Sequence, residues 1–143
     1  MSMESALDNG WEAQQVILGV ARCADRSDLA TMMQHFADSA VLVVGERRVE
    51  GRDAIFEFFG GAAATIAAKE RTKHVITNTL VTEEGDDLVT TSYFQVLRSW
   101  GIANWGRYHD RLARADGRLQ ITQREVVVDG QIARPAPPST TPA

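Results

Sequence analysis

The sequence predicts an α+β domain in which about three N-terminal helices cover the concave face of a curved antiparallel sheet. Two observations carry this prediction. Apolar residues recur with a helical period in three segments of the first half, and from Thr72 onward they alternate with a period of two between turn signals. Helices first and strands afterwards are typical of α+β domains, and three helical segments argue against an all-β fold. A long curved sheet with a helix across it leaves a cavity at its open end.

Two helices are predicted to form an N-terminal hairpin. The first runs from Trp11 to Ala24 and ends near Asp25, with an apolar stripe at Ala13, Val16, Ile17, Val20, Ala21 and Ala24. Ser27 or Asp28 can cap the second helix. The stripe of this second helix comprises Leu29, Met32, Met33 and Phe36, and the chain then turns at residues 37–39.

Two short strands, residues 41–44 and 47–50, are predicted next. Gly51 and Asp53 open a third helix, which Gly60 and Gly61 interrupt and which residues 62–69 can continue. Four longer strands follow between turn and loop signals, at residues 72–83, 88–99, 105–114 and 119–128. These four strands predict an antiparallel meander.

Strand alternation separates the faces of the third long strand. One face carries Gly106, Tyr108, Asp110 and Leu112, and the other carries Arg107, His109, Arg111 and Ala113. The charged face must meet water or a partner subunit, so Tyr108 and Leu112 point inward and His109 points outward. Both faces of residues 88–99 are half apolar, and we favour Phe94 and Val96 as inner residues.

Composition does not show which face of the first long strand is buried. One face carries His74, Ile76, Asn78 and Leu80, and the other carries the equally mixed set Val75, Thr77, Thr79 and Val81. We expect an apolar outer sheet face formed by Val75, Val81, Val89, Tyr93 and Leu97. A face of this kind is too apolar to stay wet, so the sequence predicts a homo-oligomer, either a dimer or a trimer.

Size and composition restrict the class of protein. The 143 residues fit one domain, which we assign to residues 1–132, followed by a loose tail at 133–143 that contains all four prolines. The net charge of −4 and the scattered basic residues argue against a nucleic-acid partner. Neither a secretory signal nor an apolar run of ~18 residues occurs, so we expect a cytoplasmic protein without membrane contact.

Several kinds of site have no basis in the sequence. The single cysteine, Cys23, falls in the first apolar stripe and is interpreted as packing. Three dispersed histidines do not have zinc-ligand spacing, so no metal is expected. Without a glycine-rich phosphate loop, a Gly-x-Ser-x-Gly motif or a redox cysteine pair, phosphoryl transfer, serine hydrolysis and dinucleotide binding are not expected. The sequence therefore predicts no cofactor.

His74 is the candidate catalytic residue. A histidine at the start of a strand is commonly a partly buried ring bonded to the backbone. If a carboxylate reaches one ring nitrogen, however, the pair fixes the tautomer and stabilises the imidazolium formed when the ring takes a proton. Asp25, at the end of the first helix, is the candidate carboxylate, although it can equally be a turn residue paired with a neighbouring arginine. His35 is expected to pack near the surface on the second helix.

The order of elements and three segments resemble the SnoaL-like superfamily over about residues 10 to 130. The segments are Lys73 to Asn78, Gly106 to Leu112, and Asp116 to Arg124. This superfamily includes scytalone dehydratase, bile-acid 7α-dehydratase and hexachlorocyclohexane dehydrochlorinase. The resemblance implies a cone-shaped α+β barrel.

The resemblance also implies roles for individual residues. In the lyases of the group, an Asp after the first helix pairs with a His that opens the long strand, which matches Asp25 and His74. Arg124 matches a pocket arginine on the last strand, although it can also be a surface residue beside Glu125, and Tyr108 matches a pocket aromatic. The chain departs from the lyases at Val20, where they carry Tyr or Lys. The expected lining of the binding site is Phe94, Val96, Arg124, Phe59 and Val20.

These inferences lead to a cofactor-independent, dehydratase-like lyase that acts on a small apolar cyclic or aromatic compound. His74 would remove a carbon-bound proton, Asp25 would orient the ring, and Tyr108 would hydrogen-bond an oxygen that gains charge. One alternative is an isomerase of the ketosteroid-isomerase type. Another is a non-catalytic, ligand-binding protein like the β subunit of a ring-hydroxylating dioxygenase, with Tyr108, Phe94 and Trp105 forming an apolar cup.

Overall fold

The computed structural model describes residues 2–65 and 71–138, without the side chains of residues 61–65. Three helices and six strands occur in this part of the chain. They are α1 (Met3–Asp25), α2 (Leu29–Met33), β1 (Phe36–Val44), β2 (Arg47–Glu50), α3 (Arg52–Thr65), β3 (Lys73–Glu84), β4 (Asp87–Arg98), β5 (Gly101–Ala115) and β6 (Arg118–Gln131). No helix within the described ranges has the length and apolar character needed to cross a bilayer.

The strands form one curved, mixed sheet in the order β2-β1-β6-β5-β4-β3. The predicted meander of β3, β4, β5 and β6 is confirmed, and so is the α+β class. All neighbours are antiparallel except β1 and β6, which run parallel from Phe36 opposite Ile121 to Val44 opposite Val126. The parallel pairing adds β1 and β2 to the meander, an arrangement that the local sequence pattern does not predict. Helix α1 lies against β3, with further contacts to α2, β6 and β4.

Helix α1 begins eight residues before the predicted start, because the Ser2 side chain accepts the Ser5 N–H and caps its first turn. Its carboxyl end is closed by a Schellman motif. The Asp28 N–H donates to the Cys23 carbonyl and the Ser27 N–H donates to the Ala24 carbonyl, with Ser27 at a φ of 55°. Asp28 then caps α2 by accepting the Thr31 N–H. This short connection between α1 and α2 fixes the position of Asp25 at the end of α1.

The predicted second helix is too long. Phe36 belongs to β1, since the Ile121 N–H donates to the His35 carbonyl and draws the chain alongside β6. The Phe36 ring is fully buried. A buried apolar residue fits the end of a helix and the start of a strand equally well, so apolar spacing alone does not distinguish the two. His35 lies in the turn before β1 and not on α2, with its ring packed over Gly19.

The predicted interruption of the third helix at Gly60 and Gly61 is also wrong. Helix α3 passes through both glycines and is described as far as Thr65. The helical segment packs against β1, which outweighs the cost of about 1 kcal/mol per glycine. The proposed continuation over residues 66–69 lies outside the described residues, as does the end of the proline-rich tail at 139–143.

A β-bulge in β3 changes which residues face inward. Thr77 pairs with Tyr93 and Leu80 pairs with Thr91, so Asn78 and Thr79 together oppose one residue of β4. Asn78 adopts the left-handed conformation, with φ at 53°. The alternation therefore shifts by one residue after Thr77. The two predicted faces were wrong beyond this point, because Leu80 is 69% exposed while Val81 packs on the main core.

Candidate functional site

His74 and Asp25 are brought together by the start of β3 and the end of α1. The His74 Nδ1 lies 2.7 Å from Asp25 Oδ1, and the His74 backbone N–H donates to the same oxygen at 2.9 Å. The Asp25 side chain is 7% exposed and the imidazole is 22% exposed. A carboxylate oxygen can only accept, so Nδ1 is the nitrogen that donates to Asp25, and in the neutral ring Nε2 is the nitrogen that can take up a proton.

The position of Asp25 is unfavourable for α1 itself. It is the last residue of the helix, where the backbone dipole favours cations and disfavours a carboxylate. The contact with the His74 ring and backbone offsets this cost, while the Schellman motif holds the helix end in place. The carboxylate is therefore held for its contact with His74 and not for helix stability.

A second apolar cluster is formed by Phe94, Val96 and Tyr108, and Ile76 and Val126 pack against both this cluster and the main core. The Phe94 and Tyr108 rings are stacked, with centroids 4.5 Å apart and planes inclined by 14°. The predicted inward orientation of these three residues is confirmed by exposed fractions of 9% or less. The guanidinium carbon of Arg124 lies 4.2 Å from the centroid of the Tyr108 ring.

Arg124 forms a buried, bidentate ion pair with Asp110. Its Nε donates to Asp110 Oδ1 at 2.7 Å and its Nη2 to Oδ2 at 3.0 Å, and the two side chains are 5% and 0% exposed. Burial alone would lower the pKa of Arg124, but the Coulombic attraction of Asp110 and its hydrogen bonds outweigh burial, so the pKa is raised. Arg124 is therefore a permanent cation, and the alternative of a surface arginine is wrong.

These charges belong to a polar row that crosses three strands. Thr90 of β4 lies opposite Asp110 of β5, which lies opposite Arg124 of β6. The Thr90 hydroxyl is fully buried and has no hydrogen-bond partner among the described residues. Ser92 continues the buried polar group and accepts a hydrogen bond from Thr79. The row separates the second cluster from the main-core residues Leu88, Leu112 and Ile121 on the same strands.

Tyr108 stays protonated in this setting. Burial raises the pKa of its phenol above the usual 10.0, the charge of Arg124 opposes that rise, and the carboxylates of Asp110 and Asp25 add to it. Tyr108 is thus a neutral phenol that can donate a hydrogen bond. Its cluster lies beside the His74 contact, because Val96 of the cluster is opposite His74 across β3 and β4.

The other residues predicted for the binding site lie elsewhere. Val20 is buried in the main core, and Phe59 packs there with its ring centroid 6.3 Å from that of Phe36. Trp105, assigned above to an apolar cup with Tyr108, lies on the opposite face of β5 with its ring over Gly130. His109 lies on the outer face, as predicted, opposite Glu125.

Asp110 is the site residue that the sequence analysis overlooked. It was assigned to the inner face with Tyr108 and Leu112 but given no role. A carboxylate on the buried face of a strand requires a partner, and that rule was the available signal. The partner could not be named because a register shift between Arg111 and Leu112 decides which residue of β6 lies opposite Asp110.

Gly106 makes the aromatic stack possible. It lies opposite Phe94, and a Cβ built there would overlap the Val127 carbonyl oxygen and touch the Phe94 ring. We expect Gly106→Ala to cost about 1–3 kcal/mol by overpacking and to displace Phe94 from Tyr108. Urea unfolding measures the cost, and near-ultraviolet circular dichroism reports the stack. Gly10→Ala is the control, because nothing lies within 4 Å of a Cβ there.

The end of the sheet farthest from His74 has a cavity but no comparable pair of a histidine and a carboxylate among the described residues. A cavity of about 330 Å³ lies there between α1 and the β3–β4 and β5–β6 hairpins. Its arginine, Arg114, is engaged with Glu12 and Asn9. Among the described residues, no group of three or more His, Cys, Asp or Glu side chains is arranged to hold a metal ion.

Known structures share this fold at low sequence identity. A proposed scytalone dehydratase from Novosphingobium aromaticivorans superposes with a TM-score of 0.79 at 16% identity, covering 99% of this chain and 100% of the other. The β subunit of a proposed aromatic-ring-hydroxylating dioxygenase from the same organism has a TM-score of 0.73 at 17% identity, with coverage of 91% and 95%. ActVI-ORFA from Streptomyces coelicolor has a TM-score of 0.74 at 22% identity, with coverage of 82% and 95%.

No curated protein matches the chain by sequence. The model of the SnoaL-like domain matches residues 5–125, which include Asp25, His74, Tyr108, Asp110 and Arg124. The match covers most of the chain and all the elements from α1 to the middle of β6. The chain therefore belongs to the SnoaL-like domain family.

Proposed function

We propose that the chain is a cofactor-independent lyase of the dehydratase type, acting on a small, largely apolar cyclic or aromatic compound. The observation that carries the proposal is the 2.7 Å contact between His74 Nδ1 and Asp25 Oδ1, which makes Nε2 the ring nitrogen left to accept a proton. In the proposed reaction, Nε2 removes a proton from a carbon acidified by a neighbouring carbonyl or aryl group. Asp25 stabilises the imidazolium that forms. The enolate then expels the β-hydroxyl group as the carbon–oxygen bond breaks, and the imidazolium returns its proton to that group, so that water leaves and His74 is neutral again.

Tyr108 is proposed to stabilise the oxygen on which charge develops. The Tyr108 side chain is buried, and burial raises the pKa of its phenol, so the hydroxyl stays protonated and can donate. Arg124 supplies a positive charge beside the Tyr108 ring. In a site of low dielectric, preorganised donors of this kind stabilise a developing enolate far more than they would in water. They would take over the role that the Tyr or Lys plays in the lyases, in place of which this chain has Val20.

The substrate class follows from the walls of the site. Phe94, Val96, Ile76 and Val126 pack with Tyr108 in one apolar cluster, in which the Phe94 ring is stacked on that of Tyr108. A planar or cyclic apolar compound with one oxygen fits such walls. The fold of a proposed scytalone dehydratase, shared over nearly the whole chain, is consistent with this class.

Two other functions are compatible with the same observations. An isomerase would return the proton to another carbon of the substrate, with His74 acting as base and then as acid. A non-catalytic subunit of an oxygenase is favoured by the fold shared with a dioxygenase β subunit, although Trp105 does not contribute to the apolar cluster that such a subunit would use. The buried ion pair and the His74 contact support catalysis over this second alternative.

We also propose that the outer sheet face supports a homo-oligomer. Leu80, Tyr93 and Trp105 are 69%, 53% and 38% exposed on this face. An exposed apolar patch on a sheet is typical of an interface between subunits.

Deuterium exchange tests the proposed proton abstraction. The purified chain is incubated in heavy water with 2-tetralone and with cyclic β-hydroxy ketones, and the masses of the products are measured by mass spectrometry. We expect accelerated deuterium uptake next to the carbonyl, and loss of water from the β-hydroxy ketones. An isomerase would leave the mass unchanged apart from deuterium. If neither compound class exchanges faster than with a His74→Ala control, and the chain co-purifies with a Rieske-type partner, the subunit alternative is correct.

A further inference from the structure

Helix α1 carries a second apolar stripe that does not face the core. We define the outer α1 stripe as Met3, Leu7, Trp11 and Leu18, which are 80%, 68%, 65% and 41% exposed. The spacings of four, four and seven residues place them on one side of a helix that turns about 100° per residue. Ala13, Val16, Ile17 and Val20 lie on the opposite side and are buried. The helix is therefore apolar on two opposite faces.

Such a face is not explained by the packing of one chain. The outer α1 stripe extends for roughly 23 Å along the helix, at 1.5 Å per residue. The buried side of α1 packs into the main core, so the stripe lies on the side of the helix turned away from that core. It is consequently a different surface from the outer sheet face that carries Tyr93 and Trp105. Four large exposed apolar side chains on one side of a helix are typical of an interaction surface.

The charges beside the stripe are arranged with opposite signs at its two ends. Glu4 and Asp8 lie on one flank near the amino end, and Arg22 and Arg26 lie on the same flank near the carboxyl end. All four residues are exposed. Within the described part of the chain, neither Asp8 nor Arg22 has an ion-pair partner. Their charges remain available to another molecule.

We propose that the outer α1 stripe binds the same stripe of a second copy of this chain, with the two helices antiparallel. A two-fold axis beside Gln15 places Asp8 of each chain next to Arg22 of the other, and Glu4 next to Arg26, because each pair of residue numbers sums to 30. In an antiparallel helix pair, the same flank of both helices meets across the seam. Trp11 of one chain then packs near Leu18 of the other, in an isologous interface.

Charge favours this occupant over a membrane. The amino-terminal half of the stripe is flanked by Glu4 and Asp8, and the whole chain carries a net charge of −4. An anionic lipid surface repels such a helix, whereas surface-binding amphipathic helices are rich in Lys and Arg. A parallel helix pair would bring the acidic ends together. The antiparallel copy pairs every flanking charge with its opposite.

A charge swap tests the proposal. Dissociation constants of self-association are measured by sedimentation velocity for the full-length chain and for Asp8→Arg, Arg22→Glu and the double variant, each with and without Tyr93→Arg, which opposes association through the outer sheet face. Each single change should weaken association by roughly tenfold, because it turns two symmetry-related attractions into repulsions. The double variant restores opposite charges across the interface, and its dissociation constant should return to within about threefold of the unmodified chain. Trp11→Ser should weaken association further than either single change.

Charge changes away from α1 provide the control. Glu46→Arg and Arg48→Glu alter exposed residues of the β1–β2 hairpin by the same charges, and should leave association unchanged. A double variant that associates as weakly as the single variants would overturn the proposal. So would a Trp11→Ser variant that associates normally, or one that loses flotation with phosphatidylcholine vesicles while self-association stays intact. The proposed enzymatic function does not enter this test, since none of the substituted residues belongs to the site.

Discussion

His74→Ala is expected to lower turnover of a substrate by ~10²–10⁴-fold, the usual contribution of a positioned general base. The loss follows because, among the described residues, the hydrogen bond of the His74 ring goes to Asp25 alone, so no second imidazole stands beside it to act as the base. The imidazole is 22% exposed and its removal leaves the packed clusters untouched, so the fold should remain intact. Substrate binding should change little, and the effect should fall on kcat.

Asp25→Asn provides the matched variant. Its side-chain oxygen can still accept the His74 backbone N–H, so the end of α1 stays anchored to β3. The amide nevertheless carries no charge, and it can present its NH₂ group to Nδ1, which moves the ring proton to Nε2 and removes the free base. We expect turnover to fall about as far as in His74→Ala, with little additional loss in a double variant.

The measurement is deuterium exchange or product formation by each variant, with thermal unfolding as the test of the fold. Thr82→Ala, an exposed position farther along the same strand, is the control for β3. Unchanged turnover in either His74→Ala or Asp25→Asn would refute the assigned roles. Full additivity of the two losses would instead show that the residues act separately.

Much of the fold could be predicted because its pattern is local. Alternation along β4 and β5 placed Phe94, Val96 and Tyr108 on the inner face, and all three are buried there. Phe36 was misassigned because an apolar residue at a helix end fits a strand start equally well, and pairing with Ile121 across the sheet decides between them. Long-range pairing of this kind has no local signal, which also explains why the parallel contact of β1 with β6 was missed.

The prediction of the two faces of β3 was wrong for a related reason. The bulge at Asn78 inserts one residue, and every later side chain then exchanges faces. Asparagine is one of the residues that tolerate the left-handed conformation, so its position was a weak signal. Asp25 and His74, in contrast, were paired by their residue types and by a family resemblance. Nothing in their separate surroundings along the chain predicted that they would meet at 2.7 Å.

The ion pair of Asp110 and Arg124 should give the largest effect on stability. Asp110→Leu leaves a fully buried guanidinium without its partner, since both hydrogen bonds of Arg124 end on Asp110. Removing one member of a buried pair costs about 3–5 kcal/mol, whereas replacing both by hydrocarbon of similar volume is often neutral. We therefore expect Asp110→Leu to lower Tm by roughly 10 °C, and the double variant Asp110→Leu with Arg124→Met to recover most of that loss.

The double variant separates stability from chemistry. Methionine cannot supply the positive charge that lies 4.2 Å from the Tyr108 ring, so a stable double variant should still lose turnover of any substrate found for the native chain. Denaturant unfolding measures the first property and product formation the second. If the double variant is as unstable as Asp110→Leu, packing around the row is too tight for hydrocarbon and the ion pair itself is required for folding. If it is stable and fully active, Arg124 does not serve the reaction, and the pair is structural.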